Sequence, residues 1–282
     1  GTAPGAALEK NGKCVIILPG PPGELAPMFN ESVRGFLKKY SDGAIVSHTV
    51  NIIGMGESSV AEEIEDMFDA KNPTVAPYAK SGEVRLRITA KAETADEADK
   101  MCAPVVDEIC SRLGDVVYGT DMNSIEERVV ALLKEKGKKI ATAESCTAGY
   151  IPKRLTDIPG ASEVFECGIV SYSNDIKTKL LGVSLKTLDT YGAVSEQTAR
   201  EMALGAKHVS GADIAISTTG LAGPGGDGVL PGGLSFAAVT DGERTVVEKI
   251  VTGHENDREY NRYVTASRAL NLARLMLEEK IK

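Results

Sequence analysis

The sequence predicts an α/β protein in three parts: a C-terminal layered α/β domain with a mixed sheet, preceded by a small α+β domain and by a remnant of an N-terminal α/β domain. Three observations support this fold class. The chain has 282 residues, enough for two domains or slightly more. Helix and strand patterns alternate over residues 121–282, which is typical of layered α/β folds. Residues 41–120 instead combine three strand patterns with two helical ones.

Residues 1–40 are predicted to be the end of a domain. The stretch "GKCVIILPGPPGELAPMF" contains an apolar strand from Cys14 to Leu18, a Pro/Gly loop and a helix that continues to about Leu37. One strand and one helix cannot form a core by themselves. Either this segment packs on later residues or the chain begins inside a domain, and we favour the second interpretation.

Residues 41–120 form the predicted small α+β domain. The strand at 44–54 alternates apolar and polar residues, and a helix follows at 56–68. Strands at 73–79 and 82–92 are joined by a turn, and an amphipathic helix covers 94–114. We find no catalytic constellation here. The arginines at positions 85 and 87 share a strand face, which we expect to be solvated.

Residues 121–282 form the predicted layered domain. Its first helix carries Ser124 and Glu127 in capping-box spacing. A glycine-rich loop follows the strand at 212–218, and an Asp-Gly turn joins the strands of a hairpin. The remaining predicted elements are the helices at 124–136, 146–155, 174–181, 195–209 and 256–279, and the strands at 138–143, 165–172, 234–240 and 245–251.

Composition argues against several classes of function. The net charge is -8, with 12 basic and 18 acidic residues up to Thr120 and 20 and 22 after it, so broad nucleic-acid binding is not expected. No apolar run reaches the length of a membrane span, and no secretory signal pattern is present. We therefore expect a cytoplasmic protein that binds neither nucleic acid nor membrane.

The cysteines and histidines do not suggest a metal site. The five cysteines include no pair in CxxC spacing, and the three histidines lie far apart in the sequence. We expect no disulfide framework, no metal and no cofactor, although residues distant in sequence can still meet in space.

The first candidate site residues follow the strand at 138–143, in "KKIATAESCTAGY". In α/β sheets, ligands bind beyond the carboxyl ends of the strands. Ser145 is predicted to lie between this strand and a helix beginning at Cys146, where free N–H groups favour an oxyanion or a phosphate. The alternative is that Ser145 or Thr147 only caps the helix.

The second candidate group lies in "GIVSYSNDIKTKLLGV". Tyr172 closes a strand, Ser173 or Asn174 caps the next helix, and Lys177 lies in its first turn. A helix N-terminus and partial burial both lower the pKa of a lysine, which would give a neutral amine able to act as a general base. The alternative is an ordinary surface lysine.

The third and fourth groups could bind an anion. The glycines of "STTGLAGPGGDG" follow a strand and can direct several N–H groups at one anion, or can form a flexible turn. Arg258 and Arg262 lie one helical turn apart and could hold a phosphate or carboxylate, or could pair with nearby glutamates. The glycines concerned are Gly220, Gly223, Gly225 and Gly226.

Together these groups supply a nucleophile, a base, an anion cradle and an arginine. That combination suits acyl transfer or amide hydrolysis of a small anionic substrate.

The motifs "AESCTAGY", "YSNDIKTKLLGV", "GAVSEQTAREMA", "TGLAGPGG" and Asn256–Glu259 resemble the CinA family's C-terminal domain, known as nicotinamide mononucleotide amidohydrolase. Likewise "LPGPPGELAPMF" resembles the end of the family's molybdopterin-binding-like domain, and "NPTVAPYAKSGEVRLRITAKA" resembles its middle domain.

The resemblance implies deamidation of nicotinamide mononucleotide to nicotinic acid mononucleotide and ammonia. It implies that Ser145 is the nucleophile and Lys177 its base, assisted by Tyr172 and by an arginine, for which we prefer Arg262 over Arg258. We expect Glu144 to orient Ser145 or Lys177. Cys146 leaves open a thiol mechanism. The residues expected at the substrate are Glu144, Cys146, Thr147, Asn174, Arg258 and the four glycines.

Two departures from the family pattern affect this expectation. Ala148 stands where the family has glycine, and its methyl group could crowd a close approach of the backbone. Most of the N-terminal domain is missing, so the pyrophosphatase activity attached to it should be absent. The main alternative is a non-catalytic pyridine-nucleotide-binding regulatory or scaffold protein. The family also implies a homo-oligomer, which we expect to be a dimer.

Overall fold

The structure is a computed structural model that describes residues 3–40 and 42–281. The predicted domain limits at residues 1, 41 and 282 lie outside the described residues. The domain boundaries themselves stay predictions, whereas the α/β class with a mixed sheet is confirmed by the strand pairing below.

The N-terminal segment is a hairpin followed by a broken helix. Strands β1 (Ala6–Lys10) and β2 (Lys13–Ile17) pair antiparallel around Asn11-Gly12, both of which have positive φ, as a tight hairpin turn requires. Helices α1 (Pro22–Met28) and α2 (Arg34–Leu37) are joined by a π-helical turn. Leu8, Val15 and Ile17 are more than half exposed, which is consistent with a segment without a core of its own. Sequence analysis did not predict β1.

The second part is an antiparallel sheet with helices on one face. Its strands lie in the order β4-β5-β3-β6. A core of aliphatic side chains, including Leu86, Ile88 and Ile109, lies between the sheet and the helices. The elements are β3 (Ala44–Ile53), α3 (Glu57–Glu63), β4 (Thr74–Lys80), β5 (Glu83–Ala92), α4 (Ala95–Leu113) and β6 (Val117–Thr120), of which β6 was not predicted.

The third part contains the larger sheet. Its strands lie in the order β11-β10-β9-β7-β8, with β7, β8 and β9 parallel and β10 and β11 antiparallel. The elements are α5 (Ile125–Lys136), β7 (Ile140–Glu144), α6 (Tyr150–Thr156), β8 (Phe165–Val170), α7 (Asn174–Leu181), α8 (Leu185–Tyr191), α9 (Glu196–Ser210), β9 (Ile214–Gly220), β10 (Leu234–Thr240), β11 (Thr245–Val251) and α10 (Arg258–Leu277).

Helices cover both faces of this sheet. Ile140, Ile214 and Ile216 pack towards α5, α6 and α10 on one face. Ala141 and Ala215, their neighbours along the strands, pack towards α7, α8 and α9 on the other. The alternation of a strand therefore produces a three-layer arrangement. The carboxyl ends of β7, β8 and β9 meet at one edge of the sheet.

The helix predicted at 146–155 begins only at Tyr150, so that prediction was wrong at its start. Ala148 and Gly149 have φ of 50° and 87°, and a right-handed helix cannot include such residues. Residues 145–149 form a separate turn, which we call the nucleophile turn because Ser145 is the predicted nucleophile. The predicted strand at 165–172 ends at Val170, and the short helix α8 was not predicted.

Candidate active site

A cavity of about 330 Å³ lies at the carboxyl ends of β7, β8 and β9. Ten of the thirteen residues proposed from the sequence line it, and the three that do not are Glu144, Thr147 and Arg262. The ten are Ser145, Cys146, Tyr172, Asn174, Lys177, Gly220, Gly223, Gly225, Gly226 and Arg258. The strand ends therefore bring together residues from four separate stretches of sequence.

Ser145 and Lys177 are in hydrogen-bond contact inside this cavity. The Lys177 Nζ donates to Ser145 Oγ at 3.0 Å. It also donates to the carbonyl oxygens of Ser171 at 2.9 Å and Tyr172 at 3.4 Å. These two carbonyls hold the amine against the hydroxyl, so the pair has the separation that proton transfer requires.

Lys177 is almost completely buried, with 1% of its surface exposed. Removal from water disfavours the charged ammonium, and this burial lowers the pKa of Lys177. Its hydrogen-bond partners are one hydroxyl and two carbonyls, and among the residues that the structure describes no carboxylate forms an ion pair with it that would offset this cost. The alternative of an ordinary surface lysine is therefore wrong. Ser173 caps α7 by accepting from the Ile176 N–H, as predicted.

The neighbouring thiol of Cys146 has the opposite character. Cys146 is 6% exposed, and burial raises its pKa to about 12. At neutral pH the thiol is therefore protonated and weakly nucleophilic. Geometry also distinguishes the two groups: Lys177 Nζ contacts Ser145 Oγ at 3.0 Å, and within the described residues it makes no hydrogen bond to the Cys146 thiol, so Ser145 is the group placed for activation by the amine.

The nucleophile turn is fixed by contacts from three sides. The Ser145 N–H donates to Thr218 O at 2.9 Å, which continues the pairing of β7 with β9. The hydroxyls of Thr147 and Thr218 are 2.6 Å apart. The guanidinium of Arg262 donates to Thr147 O at 2.7 Å. Thr147 is completely buried. Its side chain supports the turn and does not line the cavity, whereas the sequence analysis expected it at the substrate.

Glu144 is also placed differently from the prediction. Its side chain is completely buried, and its Oε2 accepts from the Ile151 N–H at 3.2 Å. Among the described residues it makes no hydrogen bond to Ser145 or Lys177. Because successive side chains of a strand point to opposite faces, the carboxylate points towards α6, away from the cavity.

Of the two arginines, only Arg258 lines the cavity, and we therefore revise our preference for Arg262. Arg258 donates to Gly223 O at 2.7 Å and to the Tyr172 hydroxyl at 3.3 Å. Arg262 instead holds the nucleophile turn and lies over the Tyr150 ring, 5.6 Å from its centroid. The i, i+4 spacing placed both arginines on one helix face, but it could not show which of them faces the ligand.

The glycine-rich loop is compact, and its glycines are required by close backbone contacts. A Cβ at Gly226 would collide with Leu230 O, and one at Gly223 would collide with Glu255 O. The Gly225 N–H donates to Glu255 O at 3.0 Å, and the Asn261 side chain donates to Ala222 O at 2.9 Å. The alternative of a flexible turn therefore does not describe this loop.

Sequence reasoning missed six residues that line the cavity. Ala193 and Val194 precede α9, and Thr219 donates to Ala193 O at 2.6 Å. Of the six, only Thr219 carries a hydroxyl, so chemistry gave little signal, although all six lie within the motifs "GAVSEQTAREMA" and "TGLAGPGG". The six are Ala193, Val194, Thr219, Leu221, Ala222 and Pro224.

The described residues contain neither a metal-binding cluster nor a membrane-spanning helix. No group of three or more His, Cys, Asp or Glu side chains within residues 3–40 and 42–281 is arranged to hold a metal ion. None of the helices in that part of the chain is both long and apolar enough to cross a membrane.

Comparison with known proteins identifies the family. The domain family described as CinA C-terminal domain matches residues 122–277, more than half of the chain. The chain belongs to the CinA family. The family's KH domain, described as that of damage-inducible protein CinA, matches residues 47–119. The resemblance found in the sequence motifs is thereby confirmed.

Several relatives extend over most of the chain. A putative competence-damage inducible protein of Clostridium beijerinckii is 53% identical over 91% of this chain and 63% of its own length. A CinA-like protein of Desulfovibrio desulfuricans is 46% identical over 97% of this chain and 65% of its own length. The chain thus spans slightly less than two thirds of these CinA relatives.

Solved structures match slightly more than half of the chain. A competence/damage inducible protein from Agrobacterium tumefaciens has 38% identity and a TM-score of 0.52, covering 55% of this chain and 93% of its own. A CinA superfamily protein from Escherichia coli has 32% identity and a TM-score of 0.51, covering 55% and 92%. The names of these relatives refer to competence and damage and state no substrate.

Proposed function

We propose that this CinA family member hydrolyses the carboxamide of nicotinamide mononucleotide, giving nicotinic acid mononucleotide and ammonia. The observation that carries the proposal is the buried contact between Lys177 Nζ and Ser145 Oγ. Burial lowers the pKa of Lys177, and a lysine biased in this way towards the neutral amine can take the place that histidine has in a serine hydrolase.

The first half of the proposed reaction is acyl transfer. The neutral amine of Lys177 takes the hydroxyl proton of Ser145 as Oγ bonds to the carboxamide carbon. The resulting ammonium then gives that proton to the amide nitrogen, the C–N bond breaks, and ammonia leaves. The products of this half are an ester on Ser145 and a neutral Lys177.

The second half is hydrolysis of the ester. Lys177 takes a proton from water as the water oxygen bonds to the acyl carbon. The C–Oγ bond then breaks, Ser145 recovers a proton from Lys177, and the carboxylic acid leaves and ionises. Each half passes through an oxyanion. The N–H group of Cys146 is our proposed donor to it, because Cys146 lines the cavity and its N–H has no carbonyl acceptor among the described residues.

The far side of the cavity suits the ribose phosphate. Arg258 supplies a cation at the rim, and the N–H groups of Gly223 and Gly226 have no acceptor among the described residues. A guanidinium and backbone N–H groups are common ligands of phosphate. The volume of about 330 Å³ is at the lower end of the range for small-ligand sites, which suits a mononucleotide.

The test is ammonia release from nicotinamide mononucleotide, without added metal, by wild type, Ser145→Ala and Cys146→Ala. We expect wild type and Cys146→Ala to release ammonia and Ser145→Ala to be inactive, so the two variants control for each other. An inactive Cys146→Ala beside an active Ser145→Ala would establish the thiol mechanism instead. Nucleotide binding by calorimetry without ammonia release from wild type would favour the regulatory, non-catalytic alternative.

A further inference from the structure

The nucleophile turn lacks the usual device that begins a helix. Gly149 is the N-cap of α6 and has no side chain that could accept from the first N–H groups of the helix. Helices normally obtain that acceptor from Ser, Thr, Asp or Asn. The preceding four residues carry the nucleophile, so this helix start borders directly on the proposed chemistry.

The Glu144 carboxylate occupies the position of the missing N-cap side chain. Its Oε2 accepts from the Ile151 N–H at 3.2 Å. The N–H groups of Tyr150 and Gly149 and the side chain of Thr147 also point to it, with less favourable geometry. Burial raises the pKa of Glu144, and these hydrogen-bonding groups oppose that rise.

The backbone at Glu144 is itself immobilised. Glu144 O accepts from the Ser171 N–H at 2.8 Å, and the next N–H, that of Ser145, donates to Thr218 O at 2.9 Å. The residue is therefore fixed to β8 and β9 on its two sides. Its side chain then closes a ring that runs from the end of β7 through residues 145–151 and returns to Glu144 by the hydrogen bond from the Ile151 N–H.

The geometry points to Glu144 as a positioning residue that holds the nucleophile turn, and through it Ser145, in the geometry that reaction requires. The inference rests on the proposed function, since Ser145 is the nucleophile there. It differs from the expectation of a direct contact with Ser145 or Lys177, because Glu144 acts through the backbone of residues 145–151. Arg262 holds the same turn from the other side through Thr147 O.

Two variants of Glu144 separate its charge from its bulk. Glu144→Gln keeps the shape and one acceptor oxygen, whereas Glu144→Ala leaves the N–H groups of the turn without a buried acceptor. The matched control is Glu83→Gln, which alters another buried carboxylate, 5% exposed and outside the cavity. It accepts from Tyr118 and Tyr263 hydroxyls.

We expect kcat for ammonia release per folded molecule to fall about tenfold in Glu144→Gln and about a hundredfold or more in Glu144→Ala. The dissociation constant of nicotinic acid mononucleotide should stay within about threefold of wild type, because Glu144 does not line the cavity. Glu83→Gln should keep kcat. A kcat per folded molecule within twofold of wild type in Glu144→Ala would overturn the inference.

Two further measurements need no substrate. Amide hydrogen exchange of residues 146–151 should be at least tenfold faster in Glu144→Ala than in wild type and unchanged in Glu83→Gln. Ser145 should react more slowly with a fluorophosphonate probe, which releases fluoride as the Oγ–P bond forms. If Glu144→Ala showed the same exchange and labelling rates as the wild type, the positioning role would be contradicted. Absence of ammonia release from wild type would contradict only the proposed function.

Discussion

At the scale of single residues, burial decides the chemical character of the groups beside the cavity. Lys177, Cys146 and Glu144 are all removed from water, and in each case burial disfavours the charged form. The result is a lysine biased towards a neutral amine and a cysteine biased towards a neutral thiol. The same physical effect therefore favours a neutral amine at Lys177 and opposes formation of a thiolate at Cys146.

Substitution of Lys177 separates its catalytic role from its effect on stability. Lys177→Met keeps the bulk and removes a buried amine, so ammonia release should fall about 10²- to 10⁴-fold while the free energy of unfolding does not fall. Lys177→Arg is the matched control, because the arginine side chain keeps its positive charge and therefore cannot accept a proton. It should also be inactive. Ammonia release and urea denaturation check both expectations.

The pH dependence of the wild type follows from the same lysine. The base must be neutral, so kcat/KM should decrease as pH falls through the lowered pKa of Lys177 and level off above it. A pH–rate profile measures this. A rate that is constant down to pH 5 would contradict lysine activation.

Ala148 affects the backbone and leaves the cavity unobstructed. It is exposed, does not line the cavity and has a φ of 50°, which disfavours residues with a Cβ. Ala148→Gly should raise the free energy of unfolding by about 0.5–1 kcal/mol and leave ammonia release unchanged. The control is Ala131→Gly, because Ala131 is exposed in the middle of α5. This substitution should lower the free energy of unfolding by about 0.5–1 kcal/mol. Urea denaturation of both variants tests the sign.

At the scale of elements, His48 connects strand β3, helix α4 and the residue after β6 in the second part of the chain. From β3 its ring contacts Asp121 Oδ2 at 2.6 Å and Asp99 Oδ1 of α4 at 2.9 Å. Asp121 also accepts from the Thr49 N–H, at the point where the chain leaves β6 for α5. The hydrogen bond and charge of Asp121, followed by those of Asp99, raise the pKa of His48.

This contact should make stability depend on pH. When the pKa of a histidine is higher in the folded state than in the unfolded state, its charged form stabilises the fold. This contribution is complete at pH values below the unfolded pKa of about 6.5, and it is lost as the pH rises through the folded pKa. His48→Gln should therefore lower the free energy of unfolding by about 0.5–1 kcal/mol at pH 6 and by much less at pH 9, since both carboxylates are more than half exposed. The control is His208→Gln, exposed on α9. A pH-independent difference between His48→Gln and wild type would refute this assignment.

The elements also show how far the sequence predicted the fold. Most helices and strands of the third part were predicted within a few residues, because its apolar pattern follows the helical and strand periods. β1 was missed because its sequence, AALEK, offers few strand-forming residues, although Asn11-Gly12 signalled the hairpin. β6 was missed because it has only four residues. The start of α6 was misplaced because local capping preferences cannot reveal the left-handed residues at 148 and 149.

At the scale of the whole molecule, helix α10 connects the middle domain to the cavity. Its Arg258 lines the cavity and its Arg262 holds the nucleophile turn. The hydroxyl of Tyr263 donates to Glu83 Oε1 of β5 at 3.4 Å, and the Arg154 guanidinium lies 4.7 Å from the centre of the Tyr263 ring. Contacts to the cavity, to the nucleophile turn and to β5 therefore converge on the first two turns of α10.

A double-mutant cycle tests whether Glu83 and Tyr263 link the domains energetically. Glu83→Gln, Tyr263→Phe and the double variant should show a coupling free energy of about 0.5–1.5 kcal/mol in urea denaturation. Tyr118→Phe, which removes the 2.9 Å contact within the middle domain, is the comparison. Additive effects of Glu83→Gln and Tyr263→Phe would mean that the domains are held together by other contacts.

The sequence by itself determined the fold class, the family and ten of the residues around the cavity, because periodicity, strand-end position and motif are local properties of the chain. The tertiary structure decided which arginine faces the cavity, where Glu144 points and whether Lys177 is buried. These depend on how β7, β8, β9 and α10 pack against one another. Contacts between residues distant in sequence, such as Lys177 with Ser145 and Arg262 with Thr147, exist only after that packing.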